Sequence, residues 1–172
     1  IVLETFITNS NGSWNVLMDK DSLPELYKIK FLPGGIDITT NKVIKTTFSN
    51  VATKSQTVNV SSKSINITPI TTIKASIVEK TYKSTPTVNV STLITESSSK
   101  VARALNISEN DIENDFIQEK KDTVLKAATK LNVINEALTT SIKTQDESVS
   151  HDDVFESIVE TISQSSEEVN FS

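Results

Sequence analysis

A change of texture at Thr68-Pro69 constrains this chain more than any other feature. Upstream, short β-branched runs alternate with turn residues, as in Lys42-Val-Ile-Lys-Thr-Thr-Phe-Ser49 and Ser64-Ile-Asn-Ile-Thr68. Downstream, apolar residues recur at helical spacing, most clearly between Asp122 and Ile142. The pattern predicts an α+β chain: a small antiparallel β-sandwich over 1–68, a bundle of three to four helices over 69–164, and a frayed tail over 165–172.

In the front part, residues Ile1 to Ile7 alternate as a strand, with Val2, Glu4 and Phe6 on one side and Leu3, Thr5 and Ile7 on the other. Asn11-Gly12 marks a hairpin, because both residues tolerate positive φ, and Trp14 to Met18 reads as the return strand. Further strands are expected at 26–32, 43–48, 56–60 and 64–68, interrupted by Pro33-Gly-Gly35 and a turn over 37–41. In the back part, a hydroxyl before proline opens a helix at Thr68-Pro69, with Ile70, Ile73, Ile77 and Val78 on one face to about Tyr82. A second helix spans 91–105, with Leu93, Ile94, Val101 and Leu105 inward and Ser97-Ser-Ser99 outward. Ser108 with Asp111 resembles a capping box for a short turn. The longest helix, 121–143, carries the stripe Val124, Leu125, Ala128, Leu131, Ile134, Ala137, Leu138 and Ile142, and a last one covers 152–164.

Composition narrows the function. Hydrophobic residues are 36 % and aromatics 5 % of the 172 residues, so the expected core is aliphatic and modest. Net charge is −5 with Lys and Asp/Glu interspersed. The clustered basic face that a phosphate backbone requires is missing, which argues against nucleic acid. Cysteine is absent, so packing alone must stabilise the fold. No apolar run approaches the roughly 20 residues of a membrane helix, and a soluble chain without membrane insertion is expected. Residue 1 is Ile, and no export signal follows it, as in a processed chain or a piece of a longer one. Ser and Thr make up about a quarter of the residues, which suits solvated surface strands or reflects AT-rich codon usage.

Residue patterns for catalysis are weak. His151 is the single histidine, and with Asp152 and Asp153 it fits a helix start, where acidic residues complement the macrodipole. Asp19, Asp21 and Asp37 flank turns and are the Ca²⁺ candidates, but Asp19-x-Asp21 lacks the further oxygen ligands of an EF-hand loop. Glu109, Asp111, Glu113 and Asp115 form an acidic run that reads as a solvated turn rather than a glycosidase pair. Neither a Gly-x-Ser-x-Gly elbow nor a glycine-rich phosphate loop occurs. Trp14 is expected to anchor the core. Asn-x-Ser/Thr sequons stand at Asn11, Asn59, Asn66, Asn89, Asn106 and Asn170. The string Thr-Val-Asn-Val-Ser occurs at 57–61 and 87–91, but the similarity does not extend on both sides.

The order of pieces resembles modules of bacterial adhesin-type surface proteins, in which a transthyretin-like or carboxypeptidase-regulatory-like β-sandwich precedes a helical segment. The resemblance is carried by Asn11-Gly-Ser-Trp-Asn-Val-Leu17, Tyr27-Lys-Ile-Lys-Phe-Leu-Pro-Gly-Gly-Ile-Asp37, Ile67-Thr-Pro-Ile-Thr-Thr-Ile73 and Asp122-Thr-Val-Leu-Lys-Ala-Ala128. It implies a non-catalytic module without cofactor, at the cell surface or outside the cell, that spaces, adheres or assembles. The segment Ile1, Val2, Leu3, Glu4, Thr5, Phe6 and Ile7 is the expected interface, pairing by strand addition with a second copy or a neighbouring domain. The alternative is an accessory domain binding a glycan or Ca²⁺ through the loops at 9–13, 19–24 and 33–41.

Overall fold

The computed structural model describes residues 2–37, 41–58 and 64–169. Ile1, parts of the expected 37–41 turn and 56–60 strand, and the sequons at Asn59 and Asn170 lie outside them. The chain is α+β, with strands β1 (Leu26–Phe31), β2 (Ile36–Asp37), β3 (Lys42–Val43) and β4 (Phe48–Thr53). The helices are α1 (Lys54–Val58), α2 (Pro69–Ser84), α3 (Val90–Leu105), α4 (Asp122–Lys143) and α5 (His151–Gln164). A short 3-10 turn, Glu109–Asp111, lies between α3 and α4.

Among the described residues the strands form two two-stranded antiparallel sheets, β1-β4 and β2-β3, not the expected sandwich of facing sheets. Four expectations account for the difference. Residues 64–68, expected as a strand, pair with none among the described residues and lead into the Thr68 cap of α2. Residues 2–7 and 14–18 flank a turn at Gly12 (φ 79°) but form no strand. Val2 is 81 % and Ile7 92 % exposed, because no second apolar layer lies over them. The strand expected at 43–48 begins instead at Phe48 and runs to Thr53, with every residue buried. Residues 54–58 are helical because Thr53 and Gln56 cap each other reciprocally: Gln56 N donates to Thr53 Oγ1 and Thr53 N to Gln56 Oε1, both at 3.2 Å.

The helical half follows its periodicity more closely. Thr68 caps α2 with a reciprocal bond pair to Thr71, and Pro69 occupies the first turn. Asn89 caps α3, which closes at Asn106 in the left-handed region (φ 51°). Ser150 and Asp153 form a capping box on α5. α2 is the central element, packing against β4, α3, α4 and α5. One core gathers Phe48, Ile70, Ile73, Val101, Ile112, Leu131, Phe155 and Ile162, and a second gathers Val51, Ala75, Val78 and Leu93.

Two stripes shift. In α3, Ser97 is buried rather than outward. In α4, Leu125 of the first turn is exposed, and the second half buries Asn135 and Thr139 and leaves Val133, Leu138 and Ile142 exposed. This half of α4 meets the polar loop before β4, where Asn135 Nδ2 donates to Thr46 Oγ1 at 2.9 Å and Lys45 pairs with Glu136 at 2.7 Å. The expected frayed tail is also partly docked, since Val169 N donates to Ala104 O at 2.9 Å.

Candidate functional site: an open strand edge and a buried polar cluster

The β1-β4 ladder has two unlike edges. Its register pairs Phe31 with Phe48, Ile29 with Asn50 and Tyr27 with Ala52, and Lys54 N continues it by donating to Glu25 O at 2.9 Å. By the antiparallel alternation, the N–H groups of Ser49, Val51 and Thr53 therefore point away from β1. Each is taken by a side chain: Ser49 N donates to Thr72 Oγ1 at 2.8 Å, Val51 N to Asn50 Oδ1 at 2.7 Å and Thr53 N to Gln56 Oε1 at 3.2 Å. Ser49 O accepts from Thr71 Oγ1 at 3.0 Å and Thr72 Oγ1 at 3.3 Å. That edge is closed by side chains.

The opposite edge, along β1, turns the backbone groups of Leu26, Lys28 and Lys30 outward, and no further strand pairs with it among the described residues. On the face shared with Val51, Lys28 Nζ lies 2.7 Å from Glu79 Oε2, and Lys83 pairs with the other oxygen at 2.8 Å. These two ammonium groups hold the Glu79 carboxyl down at about 2.

Beneath β4 lies the second cluster. Lys74 is 1 % and Asn50 0 % exposed. Lys74 Nζ pairs with Glu113 Oε1, and Asn50 Nδ2 donates to Glu113 Oε2 at 2.9 Å and to Asn66 O at 2.8 Å. Asn66 Nδ2 returns to Glu113 O at 2.8 Å. A buried lysine requires such a partner, since an unpaired charge out of water is costly. The sequence did carry a signal: Lys74 interrupts the α2 stripe at Ile70+4 and Val78−4. Asn50 and Glu113 carry no comparable local signal, because tertiary packing alone brings them to Lys74.

The residues singled out by sequence are dispersed. Asp19 accepts from Asp21 N at 3.0 Å and Ser22 Oγ at 2.9 Å, bonds that lower its pKa. Asp37 sits on β2, and no three Asp, Glu or His side chains able to hold a metal converge among the described residues. The acidic run lies at the surface, with Glu109, Glu113 and Asp115 exposed, and its members have separate partners: Ser99 for Glu109, Lys121 for Asp111, Lys74 and Asn50 for Glu113, and the backbone at 117–118 for Asp115.

His151 begins α5, as expected, and its Nε2 also lies 2.8 Å from Glu136 Oε2. Lys45 first, and His151 after it, lower the Glu136 pKa against the opposing effect of burial. Asp152 accepts from Thr47 N and Thr47 Oγ1, each at 2.7 Å. Trp14 is not a core anchor; it stacks on Phe6 at 5.0 Å, half-buried and outside both core clusters. A shallow depression of about 470 Å³ between α3 and the end of α5 is lined by Glu96, Lys100, Arg103 and Gln164. Comparison of the chain with family models, curated proteins and solved structures finds no match.

Proposed function

We propose that this chain is a non-catalytic structural or adhesive module, acting outside the cell or at its surface, that assembles by strand addition. The observation that carries this reading is the asymmetry of the β1-β4 ladder: one edge is capped by side chains, and the other presents the outward backbone groups of Leu26, Lys28 and Lys30. The donor is the segment 2–7 of another copy. It is exposed, and its residues alternate Val2, Glu4, Phe6 against Leu3, Thr5, Ile7, the period a pleated strand needs. Glu4 supplies a carboxylate for the exposed Lys30. A sandwich-like sheet is then completed between copies rather than within one. No described helix is long and apolar enough to cross a membrane.

Size-exclusion chromatography with light scattering at rising concentration tests the reading. The chain is expected to oligomerise, and deletion of residues 1–8 is expected to leave a monomer. Lys30→Pro removes an outward N–H without taking a ladder bond, and is expected to weaken assembly while circular dichroism stays unchanged. A parent chain that remains monomeric at high concentration, without filaments by electron microscopy, refutes it.

A further inference from the structure

We propose that the depression between α3 and the end of α5 binds a polyhydroxylated monocarboxylate, a sugar acid, with Arg103 and Lys100 holding its carboxylate. One wall is α3, where Glu96, Lys100 and Arg103 follow one another at spacings of four and three residues and so share a face over about 10 Å of helix. The other wall is Gln164, Ser165 and Ser166. That wall is fixed rather than frayed. Ser165 Oγ donates to Glu167 O at 2.7 Å, Glu167 N donates to Ser165 Oγ at 3.2 Å, and Val169 N donates to Ala104 O, beside Arg103, at 2.9 Å. The space of about 470 Å³ falls within the range of small-ligand sites.

The free side chains choose the ligand. Arg103 is the single arginine of the chain, and neither it nor Lys100 has a side-chain partner among the described residues. Glu96 precedes Lys100 by four residues, the favourable order for a helical ion pair, yet the two do not pair. An arginine fork takes a carboxylate through two parallel N–H groups, and the Lys100 ammonium adds a point charge. Two cations against the carboxylate of Glu96 leave one positive charge in the lining, which a single carboxylate neutralises and a doubly charged phosphate overshoots. Beside the cations stand groups for neutral hydroxyls. Glu96 and the last carbonyls of α5 accept, while the Gln164 amide and the Ser166 hydroxyl both donate and accept. Thr95 and Ser99 are committed elsewhere, to Ser91 O at 3.1 Å and to Glu109 Oε2 at 2.7 Å.

The lining includes no residue of β1, β4 or the segment 2–7, so the inference stands apart from assembly. Arg103 also complements the dipole at the end of α3, a role that any cation fills. Arg103→Lys keeps that charge and loses the fork, which separates the two roles. Titration of the full chain with D-glucuronate, followed by its backbone amide resonances, tests the proposal. Saturable shifts confined to 95–103 and 164–166 are expected at about millimolar ligand, with none from glucose and about tenfold weaker binding of acetate. Arg103→Lys, with helix content unchanged by circular dichroism, is expected to weaken glucuronate about tenfold, the loss of one charge-assisted hydrogen bond. Absence of saturable shifts in this region overturns the proposal. So does acetate or inorganic phosphate binding as tightly as glucuronate, the mark of a general anion patch. An Arg103→Lys chain that binds glucuronate as the parent does overturns it too, leaving Arg103 to the helix dipole.

Discussion

At the residue scale, burial separates side chains that look alike in sequence. Trp14 and Phe155 are both large aromatics, yet Trp14 stacks only on Phe6 while Phe155 is 3 % exposed and meets Phe48 edge-on at 6.2 Å. Trp14→Ala is therefore expected to cost less than about 1 kcal/mol, against about 3–5 kcal/mol for Phe155→Ala, by urea denaturation followed by circular dichroism. Glu79 gives a pH-dependent contribution. Lys28 and Lys83 lower its pKa from 4.5 to about 2 in the folded chain. The folded state thus releases its proton more readily than the unfolded state. The resulting stabilisation is complete above the ordinary carboxylate range and is lost as pH falls from about 4.5 toward about 2. Glu79→Gln should flatten that limb of the stability profile between pH 5 and about 2, measured as urea midpoints. Because the carboxylate is partly exposed, salt should diminish the effect.

At the scale of elements, local signals succeed where a cap and a period agree. Thr68 accepts from Thr71 N at 3.1 Å while Thr68 N donates to Thr71 Oγ1 at 2.8 Å, so the start of α2 is set by four adjacent residues. Thr68→Ala removes the acceptor and is expected to lower unfolding free energy by about 1 kcal/mol, read from the denaturation midpoint. α4 and α5 begin and end within a residue or so of what their apolar spacing predicts, since that spacing reports one buried face. Strands are less legible. The β-branched spacing after Gln56 predicts a strand, yet Thr53-Lys-Ser-Gln56 is a capping-box sequence and opens α1. A β-branched run at 43–48 does not show where pairing begins, because that depends on the partner strand, here the alignment of Phe48 with Phe31.

At the scale of the molecule, β4 unites what the sequence divides at residue 68. Phe48 belongs to the same core cluster as Ile70, Val101, Leu131 and Phe155, and Ser49 is bonded to Thr71 and Thr72 of α2. Sheet and helices should unfold together, so Phe48→Ala is expected to lower the helical melting transition measured at 222 nm and to cost about 3–5 kcal/mol. Two separate transitions in the parent chain would contradict this. The candidate sites also belong to this scale. The segment 2–7 shows in the sequence as an alternating run, but the unpaired edge of β1 does not, because an open edge is defined by what fails to pair with it among the described residues. Lys74 was visible as a lysine within an apolar stripe. Its neighbours Asn50 and Glu113 were not, since 24 and 39 residues of chain separate them from it.

The sequence by itself determined the α+β order, the helix start at Thr68-Pro69 and the spans of the later helices to within a residue or so, because caps and periodicity act over a few residues. Only the tertiary structure decided the rest: which strand edge is sealed, why Asn135 and Thr139 displace Leu138 and Ile142 from the interior, and how a buried lysine and a buried asparagine come to share one half-exposed glutamate. Those outcomes depend on which surfaces meet: Asn50 is buried where Glu113 and Asn66 are brought to receive it, whereas Ser97 Oγ and Thr139 Oγ1 are covered by packing alone and have no hydrogen-bond partner among the described residues.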